Sequence, residues 1–270
     1  MHAPYPPSST ATDFPPLPPG WRFGPALVLG IAALAVHLAG INQTLFSTLN
    51  TACAALAPAS VWAALTLCAS GLGALAFLAP TLKTRPRWLS AGLLMSLPLW
   101  GTIEIAKAAF DTLRPAGVLP LDSFHQVGVK LYLHAFPSGH SCTAFLVAAL
   151  LVLGWPTPAK RLQVALIALP WAGLVALSRI AVGAHWPVDV LGGAALGWLA
   201  GGLGLDITAR WRFWEAQGRR PIAALVMGAS LALLFIDLGY PEARLFQIAL
   251  ASWGIGGAAS ALGQDLRKTR

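Results

Sequence analysis

The sequence predicts an all-α fold, a polytopic transmembrane helix bundle. Three observations predict it. The 270 residues are 56% hydrophobic and 10% charged, whereas an ordinary soluble domain is roughly 25% charged. Apolar runs close to the ~20 residues that cross a bilayer recur along the chain. These runs mostly lack the polar stripe, at helical spacing, of a soluble amphipathic helix.

Eight spans are expected, at 24–41, 61–80, 88–110, 139–155, 162–181, 187–206, 221–238 and 245–262. The fourth is short. The last two are rich in Gly and Ala, which lets helices approach closely in lipid. Residues 1–20 hold seven prolines and no apolar run. They read as a disordered, cytoplasmic, partly polyproline tail, without the basic start and apolar centre of a cleaved signal. The expected organisation is therefore a tail at 1–20, six spans within 21–206, two further spans within 207–262 and a basic cytoplasmic tail at 263–270.

Orientation follows from Lys and Arg in the connections. One set holds Arg22, Lys83, Arg85, Arg87, Lys160, Arg161, Arg210, Arg212, Arg219, Arg220, Arg267, Lys268 and Arg270. The opposite set holds Lys107, Arg114, Lys130, Arg179 and Arg244. The first set marks the cytoplasmic side, with both termini there. Trp21, Trp88, Trp155, Trp186, Trp211 and Trp214 lie near run ends, where interfacial anchors are expected. The net charge of +8 is mostly this bias. Its scatter argues against nucleic-acid binding and for contact with anionic headgroups. Cys53, Cys68 and Cys142 are too few and too far apart for a disulfide framework or a zinc site.

The same span counting places three polar clusters at one membrane face, opposite the termini. The third span ends in Glu104, Lys107 and Asp111, followed by Arg114-Pro115. The chain re-enters at Pro137-Ser138-Gly139-His140. It emerges again at Ser178-Arg179 and re-enters at His185 and Asp189. Charge in a bilayer is costly, about 2.5–3.5 kcal/mol at the centre and less near the interface. Gathering that cost at one depth suggests a shared purpose. Ser138 is a good N-cap, Gly139 lets a ligand approach the backbone, and the following N–H groups attract anions. His185 and Asp189 share a helical face at i, i+4. A carboxylate on one ring nitrogen fixes the tautomer and leaves the other free as a nucleophile. Lys107 and Arg114 lie two turns apart if the helix persists. Arg114 and Arg179 supply planar forks for phosphate oxygens, and Lys107 a point charge.

On these residues the chain resembles the type 2 phosphatidic acid phosphatase superfamily, whose membrane members dephosphorylate lipids. The family pattern is Lys, six residues, Arg-Pro; Pro-Ser-Gly-His; and Ser-Arg, five residues, His, three residues, Asp. Lys107…Arg114-Pro115, Pro137–His140 and Ser178-Arg179…His185…Asp189 fill it in order. The resemblance covers roughly 107–189 and makes the six central spans a phosphatase core, leaving the last two outside it. It implies that His185 attacks phosphorus to give a phosphohistidine and that Asp189 orients it. His140 would protonate the leaving oxygen and then help activate water. Lys107, Arg114, Ser138, the Gly139 N–H and Arg179 would bind the phosphoryl oxygens. No metal or other cofactor is implied.

The expected activity is hydrolysis of a lipid phosphate or diphosphate at the extracytoplasmic face of the plasma membrane. Undecaprenyl diphosphate, phosphatidic acid, phosphatidylglycerol phosphate and lipid A phosphate are the classes in view, with a lean toward undecaprenyl diphosphate or another lipid phosphate and no single choice among them. A phosphotransferase would use the same intermediate. A vanadium haloperoxidase would use a similar site, although such relatives are typically soluble. A non-catalytic lipid-binding or transport protein would need neither imidazole. The oligomeric state is left open.

The remaining polar residues have structural readings. Glu104 is expected to pair with Lys107, and Asp111 with Arg114. His37 is expected in the core, His125 and His134 flank the external stretch, and Asp206 and Asp237 act as local partners or caps. The stretch from Ala116 to Phe136 is too apolar for a solvated loop and is expected to lie partly in the interface.

Overall fold

Proline and short polar residues punctuate the chain into helices. The computed structural model describes residues 17–213 and 219–268, and these contain eleven α-helices and no strand. They are α1 (Pro19–Leu38), α2 (Asn42–Leu56), α3 (Ala59–Cys68), α4 (Gly71–Leu78), α5 (Pro86–Phe110) and α6 (Pro115–Val118). Then come α7 (Gly139–Leu153), α8 (Pro158–Ala181), α9 (Pro187–Arg210), α10 (Arg219–Leu233) and α11 (Arg244–Lys268). Pro86, Pro115, Pro158 and Pro187 begin their helices, where the missing N–H costs nothing and φ is already set.

Five segments among the described residues are long and apolar enough to cross a membrane. They rise to six if α2 and α3, bent by 111°, form one broken span. Eight were expected. The expected span at 61–80 is interrupted at Ala69–Ser70, where Ser70 Oγ accepts from Gly73 N and starts a new helix. The expected spans at 139–155 and 221–238 correspond to α7 and α10, of 15 residues each. A helix, α2, occupies the expected connection after the first span. Residues 263–268, expected as tail, continue α11. Most of the Pro-rich tail, and Trp214, lie outside the described residues.

The bundle is built around α7, which is buried on nearly every side and packs on α9 and α8. Its approach to α9 depends on Gly193, Gly197 and Gly201, one turn apart. A Cβ on them would lie 2.4 Å from Ser138 O, 2.0 Å from Cys142 O and 2.6 Å from Ala149 Cβ respectively. This is close small-residue packing of membrane helices. It sets the start of α7 beside the start of α9. By contrast α1 exposes Leu27, Val28, Ile31, Leu34 and Leu38, a lipid-facing surface. His37, expected in the core, is exposed on α1 and lines a cleft beside it.

At the other end of α7, Trp155 packs edge-on against Trp88, with ring centroids 5.8 Å apart. The Arg85 guanidinium lies 4.1 Å and Lys160 Nζ 5.3 Å from the Trp155 ring. Helices α10 and α11 pack on each other and on α4, and α11 also covers the 3₁₀ turn at Ala79–Lys83. Arg22 pairs with Asp206 at 2.6 Å, joining α1 to α9.

Candidate active site

Each of the three sequence clusters is delivered by a helix end. Helix α5 stops at Phe110 because Asp111 turns left-handed, φ 40°, while its N–H still bonds Lys107 O. Lys107 therefore stays on α5, and Arg114 sits beyond the break as the N-cap of α6. The two do not share one continuous helix. Glu104 pairs with Lys107 at 2.8 Å, as expected. The expected pairing of Asp111 with Arg114 does not form, because the left-handed turn removes the helical register; Asp111 lies 3.6 Å from His134 Nδ1 instead.

Ser138 caps α7. Its Oγ accepts from Ser141 N at 3.4 Å and Ser141 Oγ at 3.0 Å. The first N–H groups of the helix, those of Gly139 and His140, are left at the start of the turn, where an anion is favoured. Ser138 N donates to Asp189 O at 3.0 Å, so the two helix starts are stitched together through the backbone.

His185 lies just ahead of α9 and is 2% exposed. Its Nδ1 is 3.3 Å from Asp189 Oδ2, and its Nε2 is 2.9 Å from Arg114 Nη1. Arginine can only donate, so Nε2 carries the lone pair and the proton resides on Nδ1, facing the carboxylate. Asp189 Oδ2 also accepts from Trp186 N at 2.9 Å, so one oxygen caps the helix and holds the imidazole. Burial holds the His185 imidazole well below its ordinary value of 6.5, and the Arg114 and Arg179 cations push it the same way. At neutral pH the ring is uncharged.

Arg114 is tied down on three more sides. Nε donates to Leu133 O at 2.8 Å, Nη1 to Ala184 O at 3.1 Å and Nη2 to His134 O at 3.3 Å. Arg179, at the end of α8, donates from Nη1 to Tyr240 Oη at 2.7 Å and to Thr66 Oγ1 at 3.3 Å. Its Nε is buried with no partner among the described residues.

A cleft of about 820 Å³ opens beside this network. Lys107, Gly139, His140 and Arg179 line its polar end, and Leu89, Leu93 and Trp100 line its continuation along α5. All eight residues expected at the site thus gather at one end of the bundle. Lys107, Gly139, His140 and Arg179 face the cleft, while Arg114, His185, Asp189 and Ser138 are buried outside its lining.

Three supporting residues were not anticipated. Asn50 of α2 is fully buried; it donates to His125 O, Ile180 O and Ala181 O and accepts from His125 N. It fixes the turn between Arg179 and His185. Thr66 lies 2.8 Å from Ser178 Oγ, and Tyr240 holds Arg179. A buried Asn in a membrane helix is a signal that could have been read; the other two leave no local pattern. Trp186, expected as an interfacial anchor, is buried. It packs against Phe46 with centroids 5.0 Å apart, and its Nε1 donates to Leu113 O at 2.7 Å.

The chain is similar to known proteins. Residues 86–213 match the PAP2 superfamily. The chain is 34% identical over 108 residues to the lipid A 1-phosphatase of Porphyromonas gingivalis, covering 40% of this chain and 21% of that protein. It is 33% identical over 120 residues to the lipid A 1-phosphatase of Rhizobium johnstonii, covering 41% of this chain and 44% of that protein. The match thus spans less than half the length of either relative. A crystal structure of Aquifex aeolicus LpxE aligns with a TM-score of 0.53 at 26% identity, covering 62% of this chain and 95% of that one. The three ordered motifs lie inside the matched stretch and converge in space, and it is this stretch, residues 86–213, a little under half of the chain, that matches the PAP2 superfamily.

Proposed function

We propose that the protein is an integral membrane lipid phosphatase working through a phosphohistidine on His185. One observation carries this reading. A buried, neutral imidazole is oriented by Asp189 beside a cleft lined by Lys107, paired with Glu104, by His140, Arg179 and Asp237, and by apolar side chains along α5. From Leu89 to Lys107 the cleft follows α5 for roughly 27 Å, which suits a long lipid chain below a phosphate headgroup.

In this reading Arg114 transfers its Nη1–H bond from His185 Nε2 to a phosphoryl oxygen as substrate arrives. Nε2 then attacks phosphorus while the P–O bond to the lipid breaks, and His140, protonated once the bound phosphate anion offsets the cations around it, gives its proton to the leaving oxygen. In the second step water attacks phosphorus, the P–N bond breaks, and His140 takes up the water proton. Lys107, Arg114, Arg179, the Gly139 N–H and Ser138 stabilise charge on the phosphoryl oxygens. The side chains need no metal for this, since cations already face the anion.

The names of the relatives favour lipid A phosphate over undecaprenyl diphosphate as the substrate. The Lys and Arg distribution favours an extracytoplasmic site with both termini cytoplasmic. The deciding experiment is phosphate release by purified wild type and His185→Ala. The panel is lipid A, undecaprenyl diphosphate, phosphatidic acid and phosphatidylglycerol phosphate, assayed in chelator. Release by wild type, inhibition by vanadate and loss of several orders of magnitude in the mutant support the reading. Equal turnover by His185→Ala removes it.

A further inference from the structure

The C-terminal helix pair lies outside residues 86–213, yet it reaches the site. The loop between α10 and α11 lines the cleft through Asp237, Leu238, Gly239 and Tyr240. From that loop Tyr240 Oη accepts the 2.7 Å bond from Arg179 Nη1. We infer that Tyr240 is a positioning residue for Arg179, so that α10 and α11 complete the phosphate-binding cradle. The inference rests on reading the cleft as a phosphate site.

Three features support it. First, the Arg179 fork is fastened at one corner only. Nη1 is held back by Tyr240 and Thr66, while the buried Nε has no partner among the described residues. A guanidinium held this way keeps donors in reserve for an anion in the cleft. Without the phenol, a long and rotamer-rich side chain loses the strongest bond fixing its direction.

Second, the loop is keyed to the site layer by close backbone contact. Gly239 takes φ +78° and Gly128 φ +75°, and a Cβ on Gly128 would lie 2.5 Å from Gly239 O and 2.6 Å from the Tyr240 ring. Asp237 Oδ1 accepts from Gly239 N at 2.7 Å and closes the turn. The phenol is thus placed by the stretch that runs from Arg114 to His140, not by α11 alone.

Third, the hydroxyl has a directed use. Tyr240 packs against the buried clusters that contain Ala181 and Val182 and that contain Ala63 and Leu67, its ring centroid lies 5.9 Å from Arg179 Cζ, and a ring that acted only through these contacts would tolerate removal of its oxygen. Tyr240→Phe separates the two roles, since it keeps the ring and deletes the acceptor.

The test is a double-mutant cycle on the full-length protein. It compares wild type, Tyr240→Phe, Arg179→Gln and the double variant, with Thr66→Val as a second way to loosen the same nitrogen. The readouts are inorganic phosphate binding, KM and kcat for lipid phosphate release, and thermal unfolding. Tyr240→Phe is expected to weaken phosphate binding and raise KM by roughly 10- to 100-fold, to lower kcat less and to leave unfolding unchanged. In the Arg179→Gln background it should add nothing. Thr66→Val should shift binding the same way by a smaller factor. Unchanged binding and KM in Tyr240→Phe, or the same factor with and without Arg179, overturns the inference. If wild type binds phosphate but releases none from any lipid, the phosphatase reading fails and phosphate affinity still decides Tyr240. If wild type binds no phosphate, both fall.

Discussion

Arg114 Nη1 rests 2.9 Å from His185 Nε2, with both side chains buried. A guanidinium placed on the lone pair of an imidazole does two things. It fixes which nitrogen is unprotonated, and it keeps that nitrogen occupied until a better acceptor arrives. A phosphoryl oxygen is such an acceptor.

Arg114→Lys retains charge but loses the fork that also reaches Leu133 O, Ala184 O and His134 O. The expected outcome is a fall of roughly 10²- to 10³-fold in kcat/KM, measured by phosphate release from lipid A. An ammonium that served equally well would mean that only charge matters at this position.

The pH profile should carry the same signature. Burial and the two arginines disfavour the His185 imidazolium, so the folded value lies below the ordinary 6.5. The acid limb of kcat/KM is therefore expected below pH 6.5, and Arg114→Gln should move it upward by removing a cation. For stability the sign is set by the unfolded chain, which takes up the proton first. The His185 contribution is constant above 6.5 and turns destabilising as pH falls from there toward the folded value. Thermal unfolding against pH, compared with His185→Asn, measures this part.

Asp189→Asn tests orientation apart from volume. The amide cannot stabilise the charge that develops on His185, and it can present a donor where an acceptor is needed. A loss of roughly 10²- to 10⁴-fold in kcat is expected, with KM little changed. A fall in KM affinity instead would place Asp189 on the substrate.

Gly197→Ala tests the helix approach that builds the site. Its Cβ would meet Cys142 O at 2.0 Å, a backbone atom that cannot swing away. Destabilisation of about 1–3 kcal/mol is expected, read from thermal unfolding in detergent. Because α7 and α9 carry His140 and Asp189, activity should fall more steeply than stability.

The gathering of the candidate site was legible in sequence because its residues sit at helix boundaries, and boundaries are written locally. Pro137-Ser138-Gly139 announces the start of α7, and Pro187 with Asp189 the start of α9. The misses have a common physical origin. Helix α2 carries Asn42, Gln43, Thr44, Ser47, Thr48 and Asn50, uncharged polar groups that dilute hydropathy without breaking a helix. Asn50, Thr66 and Tyr240 act on partners 61 to 131 residues away, and no periodicity encodes such distances. Trp186 has the composition of an interfacial anchor, but the start of α9 turns it inward onto Phe46. The external stretch was read from composition alone, and it leaves Val129, Leu131, Tyr132 and Leu133 exposed.

The shortness of α7 has a consequence for the depth at which the candidate site lies. Fifteen residues measure about 22 Å, against a hydrocarbon slab of about 30 Å. Trp155, flanked by Arg85 and Lys160, pins one end at headgroup level. The His140 end then stops about 8 Å short of the opposite boundary. In the proposed reaction a lipid headgroup would have to descend to meet it, which is easier in a thin membrane. The proposed reaction would thereby be coupled to the thickness of the bilayer that hosts it, through a buried helix too short to reach across.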